Sequence, residues 1–205
     1  MGLLKIHKNN NYEYQLWEID IDLTKTISSY EIFTNYHPNI NSYKNHFRTN
    51  QILHTRRIIK KMVGENVDLI QNENGKPYLT GSNKYISISN HKNYIAVIIA
   101  NFPCGIDLET TKRNYQIIQH KFLHSHDLLV KNNYDLSLIW CAKEVLYKTI
   151  GNPLINFRKH LFVEKNNDEI IGSCVHDSLS FKANLSLIKI KDLVLIHNLN
   201  FQEKN

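Results

Sequence analysis

Asp107 and Glu109 stand two residues apart in the run Gly105-Ile106-Asp107-Leu108-Glu109. If that run is extended, alternation sends both carboxylates to one face and Ile106 and Leu108 into a core. Carboxylates so placed repel unless a cation neutralises them. Hard oxygen ligands of this kind suit Mg²⁺, which takes one or two carboxylates together with substrate phosphates. Downstream, Trp140, Glu144 and Lys148 recur at i, i+4 spacing, an aromatic, an acid and a base in one line along a helix. Singly, each pattern has an ordinary explanation: an acidic strand end facing water, and a surface Glu-to-Lys pair worth about 0.2–0.5 kcal/mol. Jointly they outline a divalent-metal site of Asp107, Glu109 and Glu144 that handles the phosphates of a small substrate.

Periodicity and punctuation give the elements that must position these groups. Trp17, Ile19 and Ile21 alternate with acids, which predicts the first strand. A helix is expected over 43–63, closed by Gly64, with a basic face of Arg48, Arg56, Arg57, Lys60 and Lys61. Asn74-Gly75-Lys76-Pro77 is a turn by composition, with Pro77 expected to block ladder pairing. Strands follow at 85–89, 94–100 and 104–108, the first two as a hairpin. A second helix runs from Asp135, taken as its N-cap, to Ile150, with Gly151 behind it and Leu138, Ile139, Ala142, Val145 and Leu146 as its apolar stripe. Further strands are expected at 161–164, 169–174, 179–190 and 193–199. The fold class is therefore α+β, with two similar α/β halves divided near 110–114: an N-terminal half, 1–110, and a C-terminal half, 111–205.

Composition narrows the function classes. With 205 residues, 42% hydrophobic and 21% charged, the chain can bury a real core and is not a disordered segment. A formal charge of +6 and a pI of about 9.1 draw acidic partners: nucleic acid, phosphate-rich small molecules or an acidic protein. Cys104, Cys141 and Cys174 are odd in number and widely spaced, which outlines neither a metal knuckle nor a disulfide framework. No signal pattern, spanning segment or myristoylation motif is read, so the expected location is the cytoplasm, away from membranes.

Four motifs in order carry a resemblance: Asn74-Gly75-Lys76-Pro77-Tyr78, Ile86-Ser87-Ile88-Ser89, Gly105 to Glu109, and Trp140 to Lys148. Together they resemble the phosphopantetheinyl transferases, in particular the monomeric, pseudo-dimeric type that activates surfactin synthetase. The resemblance implies transfer of the 4'-phosphopantetheine arm of coenzyme A to a serine of an apo carrier protein (acyl, peptidyl or polyketide), releasing adenosine 3',5'-bisphosphate. It implies Mg²⁺, with Mn²⁺ as a substitute, held by Asp107, Glu109 and Glu144. Glu144 would help remove the serine proton, directly or through water, and Lys148 would stabilise charge on the pyrophosphate and the leaving bisphosphate. Arg56, Lys76, Ser89 and the following Asn90 and His91 would contact coenzyme A. The carrier would be acidic, and the protein a monomer.

One position departs from the pattern. The family has a histidine directly after the serine, where this chain reads Ser89-Asn90-His91. Either a one-residue bulge presents His91 to the 3'-phosphate, or Asn90 donates a neutral hydrogen bond and His91 points elsewhere. His124 and His126, in a stretch that resembles the family's carrier-docking region, lack a third ligand and read as a polar helix start or loop. Two other functions share the composition. The basic helix and eleven Tyr would also serve nucleic-acid binding, although no module signature accompanies them and no nucleic-acid partner is expected. A carrier-binding relative that has lost activity would fit Asn90, against the intact Asp107, Glu109, Glu144 and Lys148.

Overall fold

Among the described residues, alternating apolar residues pair as antiparallel strands, and residues recurring every three or four form two long helices. The computed structural model describes residues 1–22, 46–128, 130–166 and 168–203. Contacts divide the chain into two units, Met1–Asn101 and Phe102–Asn205. Among the described residues no helix is long and apolar enough to cross a membrane.

The first unit begins with β1 (Gly2–Lys8) and β2 (Tyr12–Glu18), continues with helix α1 (His46–Val63), and ends with β3 (Asp68–Gln71), β4 (Pro77–Thr80), β5 (Tyr85–His91) and β6 (Tyr94–Ala100). Its main sheet has the order β1-β2-β6-β5, and β3 and β4 form a separate ladder. The β6 run Tyr-Ile-Ala-Val-Ile-Ile-Ala is almost wholly buried, as expected of a strand whose side chains are covered on both faces. Ile58 and Ile59 of α1 pack with Ile86, Ile95, Val97 and Ile99 in one cluster.

Three expectations need correction here. The first strand is β1, whose residues are all exposed, so no half-buried alternation marked it. The strand expected around 17–21 is β2, which ends at Glu18. Pro77 does not block pairing but opens β4 opposite Gln71, the one strand position where a missing N–H costs little. Residues 43–45 of the expected first helix lie outside the described residues; from His46 it runs to Val63, and Gly64 donates back to the Lys60 carbonyl at 2.8 Å.

The second unit comprises β7 (Ile106–Thr110), a 3-10 turn (Tyr115–Ile117), α2 (Gln119–Phe122), α3 (Asn133–Ile150), α4 (Phe157–His160), β8 (Leu161–Asn166), β9 (Glu169–His176), β10 (Leu179–Ile190), β11 (Leu193–Asn198) and β12 (Gln202–Glu203). Strand order is β7-β11-β10-β9-β8, with β12 on β10. Because β7 pairs with β11 from Ile106 to Thr110, it belongs to this unit. The chain therefore divides at Asn101, earlier than the 110 boundary read from the sequence. In each unit a strand leads to the long helix, and the fourth strand after that helix pairs with the leading one: β6 with β2, and β11 with β7.

Helix α3 is capped by Asn132, not Asp135. Asn132 Oδ1 accepts from Asp135 N–H at 3.1 Å, and Asp135 Oδ2 accepts in return from Asn132 N–H at 3.2 Å, a reciprocal capping box. Gly151 closes the helix in the left-handed region, at φ 68°. Between these ends the helix lies hard against the start of β7. A Cβ on Gly105 would sit 2.1 Å from the Val145 carbonyl oxygen and 2.7 Å from Thr149 Oγ1.

Those obstacles are backbone and a hydroxyl already bonded to that carbonyl at 2.8 Å, so neither can step aside. We therefore expect Gly105→Ala to cost at least about 3 kcal/mol, through separation of strand and helix. Denaturant unfolding checks this, and a loss under about 1 kcal/mol would show that the helix relaxes without penalty.

Candidate active site

Helix α3 meets β7 along the line Trp140, Glu144, Lys148, and both ends of that line are tied to strand carboxylates. Lys148 Nζ donates to Asp107 Oδ1 at 2.6 Å and to the Ile106 carbonyl at 3.1 Å. Trp140 Nε1 donates to Glu109 Oε1 at 3.0 Å, and the Tyr115 hydroxyl donates to Glu109 Oε2 at 3.1 Å. Glu144 lies one helical turn from each tied residue, so Asp107 and Glu109 flank it. Arg113 completes the group: its guanidinium approaches Glu109 Oε1 at 3.9 Å and rests over the rings of Tyr115 and Trp140, 5.5 Å and 5.7 Å from their centroids.

The three acids answer burial differently. Asp107 is 4% exposed and takes the Lys148 ammonium. Burial alone would lower Lys148, but the Asp107 charge and hydrogen bond outweigh it and hold Lys148 above its usual value. Among the described residues no cation sits on the Glu144 carboxylate in this way. Burial first, then repulsion from Asp107, pushes its pKa up to about 7, with Glu109 adding to the rise and Lys148 and Arg113 resisting it. Burial also raises the Tyr115 phenol and the Cys141 thiol. Both remain protonated donors, Tyr115 to Glu109 and Cys141 to the Asp107 carbonyl at 3.4 Å.

Among the described residues no three His, Cys, Asp or Glu side chains already surround a common point as metal ligands. The donor chemistry nevertheless fits a hard divalent cation. Burial, with repulsion from the neighbouring carboxylates added to it, raises Glu144 to a pKa of about 7, and all three groups offer oxygen ligands. His124 and His126 meet edge to face at 4.9 Å, with His124 Nδ1 accepting from the His126 N–H, which is a loop contact.

The residues assigned to coenzyme A all lie on the first unit. Arg56 is not on a solvated face: it is 6% exposed, and its Nη1 donates to the Leu69 carbonyl at 3.3 Å. Lys76 is half-buried in the β3–β4 turn, its N–H held by Asn72 Oδ1 at 2.9 Å. Ser89 is buried. Asn90 pairs with Ile95 and His91 with Tyr94 in unbroken register, so β5 contains no bulge there. With its amide oxygen toward α1, Asn90 accepts from Arg48 Nη1 at 3.2 Å.

Sequence reasoning missed Tyr115, Arg113, Asp127 and a role for Lys143. Lys143 carried a legible signal: it continues the row Ile139, Lys143, Leu146 within the apolar stripe, and its side chain is fully buried. Tyr115 and Arg113 follow β7 without periodicity to mark them.

No protein-family model matches the chain. It is similar to the 4'-phosphopantetheinyl transferase gsp of Aneurinibacillus migulanus, with 25% identity over 114 residues, 52% of this chain and 48% of that relative. The matched stretch thus spans about half the length of the relative. The similarity supports the phosphopantetheinyl transferase superfamily at its broadest and points the same way as the four motifs.

Glu144 also couples the site to pH. Its folded pKa of about 7 lies above the ordinary 4.5, so the folded state binds its proton more tightly than the unfolded chain does. The stability this contributes is complete below pH 4.5 and is lost as pH rises through 7, a change on the order of 3 kcal/mol. In the presence of a chelator, Glu144→Gln should therefore gain stability relative to the parent protein between about pH 5 and pH 8. A parent–variant difference that is flat in pH would contradict this.

Proposed function

We propose that the protein transfers the 4'-phosphopantetheine arm of coenzyme A to a serine of an apo carrier protein. One observation carries the reading: strand carboxylates Asp107 and Glu109 are tied to Lys148 and Trp140 of one helix, and Glu144 sits between them with a pKa near 7. A carboxyl poised near working pH is suited to exchanging a proton in a transition state. The similarity to a 4'-phosphopantetheinyl transferase supplies the chemistry in which that proton comes from a serine hydroxyl. On this reading the two units are the halves of a pseudo-dimer, and the protein acts as a cytoplasmic monomer.

Asp107, Glu109 and Glu144 are the residues that would hold Mg²⁺ or Mn²⁺, whose contribution is to neutralise the pyrophosphate of coenzyme A. In the reaction the serine oxygen forms a bond to the phosphorus that bears the pantetheine, and the bond from that phosphorus to adenosine 3',5'-bisphosphate breaks. Glu144 takes the serine proton, directly or through one water. Lys148 places positive charge beside the same carboxylates and favours the departing bisphosphate. Trp140 and Tyr115 hold both oxygens of Glu109 with neutral donors, which fixes its orientation without adding charge. Arg56, Lys76, Ser89, Asn90 and His91 are assigned to the phosphates of coenzyme A, and basic residues suit an acidic carrier.

Incubation with coenzyme A, Mg²⁺ and apo carrier proteins, followed by intact-mass measurement, should show the carrier gaining one phosphopantetheine arm. Failure with several different carriers would sink the proposal. Glu144→Gln should fold and lose at least about 100-fold in transfer rate, and Lys148→Met should be similarly impaired. Undiminished turnover in Glu144→Gln would remove Glu144 from the proton transfer.

A further inference from the structure

One ion pair in the second unit is wholly buried and has no part in the chemistry above. Lys143 and Asp127 side chains are both 0% exposed, with Nζ and Oδ2 at 2.7 Å. An ammonium has three protons, and here each has an acceptor: Asp127 Oδ2, the Phe122 carbonyl at 2.7 Å and the Phe157 carbonyl at 3.2 Å. Asp127 is as fully used. Its Oδ2 also accepts from the His124 N–H at 2.7 Å, and its Oδ1 accepts from the Val163 N–H at 3.0 Å. Burial drives Lys143 below its usual pKa, and Asp127 draws it back.

Such pairs contribute little net stability, because desolvation offsets their attraction, while removing one partner is expensive. Their placement is therefore more informative than their energy. The two carbonyls that Lys143 holds belong to Phe122 and Phe157, and the rings of those residues pack on Trp140. Phe122 meets it edge to face at 5.2 Å, and Phe157 lies nearly parallel at 5.5 Å. Lys143 and Trp140 are i, i+3 neighbours on α3, so backbone clamp and clamped rings share one side of the helix. Trp140 Nε1 in turn donates to Glu109.

We propose that Lys143 and Asp127 are positioning residues of the acidic site: their buried pair fixes Phe122 and Phe157 against Trp140 and so aims the indole N–H at Glu109. The pair touches no substrate and acts through Trp140. Its kinetic consequence rests on the transferase reading; its structural consequence does not.

The test uses the full chain with Trp17→Phe, which leaves Trp140 as the sole tryptophan of the two present. In this background Lys143→Met should still unfold cooperatively, while Trp140 emission shifts to the red and acrylamide quenching rises severalfold. Transfer kcat should fall by about tenfold or more with KM for coenzyme A little changed, the split expected of a misaimed site. Combining Lys143→Met with Trp140→Phe should lose no more than Trp140→Phe alone, because both changes break the same chain of contacts. Unaltered Trp140 emission and quenching in a folded Lys143→Met protein overturns the proposal, as do losses that multiply in the combined variant. If Lys143→Met does not fold, Lys143→Met/Asp127→Asn, which leaves no buried charge, is judged by the same criteria. Failure of both to fold also overturns it, since the pair would then serve the fold as a whole. If the parent protein transfers nothing, only the transferase reading falls, and Trp140 emission alone decides the positioning role.

Discussion

The backbone of helix α3 approaches strand β7 so closely that Gly105 has no room for a methyl group, and the arrangement of Asp107, Glu109 and Glu144 depends on that approach. Beneath it, Ile139, Ala142, Val145 and Leu146 are buried with Val194 and Ile196 of the neighbouring strand. Full burial of each large aliphatic side chain is worth roughly 1.5–3 kcal/mol. That layer holds helix and strand together with two oppositely charged side chains, Asp107 and Lys148, paired at its margin. Were the helix a side chain's thickness further away, the Trp140 and Lys148 donors could not reach carboxylates more than thirty residues earlier in the chain.

Three acids share this margin, and the fold handles them by three separate means. Asp107 is neutralised by a cation. Glu109 receives two neutral aromatic donors, with a guanidinium over their rings. Glu144, buried and beside the charge of Asp107, has its pKa pushed up to about 7. One site thus contains a paired acid, a hydrogen-bonded acid and a protonatable acid.

Much of this was legible in the residues. Gly105-Ile106-Asp107-Leu108-Glu109 reads as a strand with its acids to one side, and the i, i+4 line of Trp140, Glu144 and Lys148 reads as one flank of a helix. Their meeting required the four motifs taken jointly, since no short-range pattern sets a strand against a helix thirty residues on. The C-terminal strands were legible because β9, β10 and β11 alternate or run apolar between clear turns. β1 was not, because its apolar residues Leu3, Leu4 and Ile6 lie exposed on an edge strand and no covered face sets a pattern. The helix cap was misplaced by three residues because Asp135 and Asn132 both accept at the same helix start, and only geometry separates the cap from its reciprocal partner. The burial of Arg56 was not legible, because a helical wheel knows nothing of the Leu69 carbonyl beside it.

The ammonium of Lys143 reaches three separate stretches of chain, at Phe122, Asp127 and Phe157. Surface loops ordinarily tolerate insertions and deletions, since lengthening a flexible loop changes its closure entropy only slowly. The segments between Phe122 and Asp127 and between the end of α3 and Phe157 are denied that freedom. One residue more or fewer in either would withdraw an acceptor from a charge with no access to water. In the terms of sequence drift, these two loops are bound to fixed lengths, while the β3–β4 turn of the first unit carries no buried ammonium to hold its length constant.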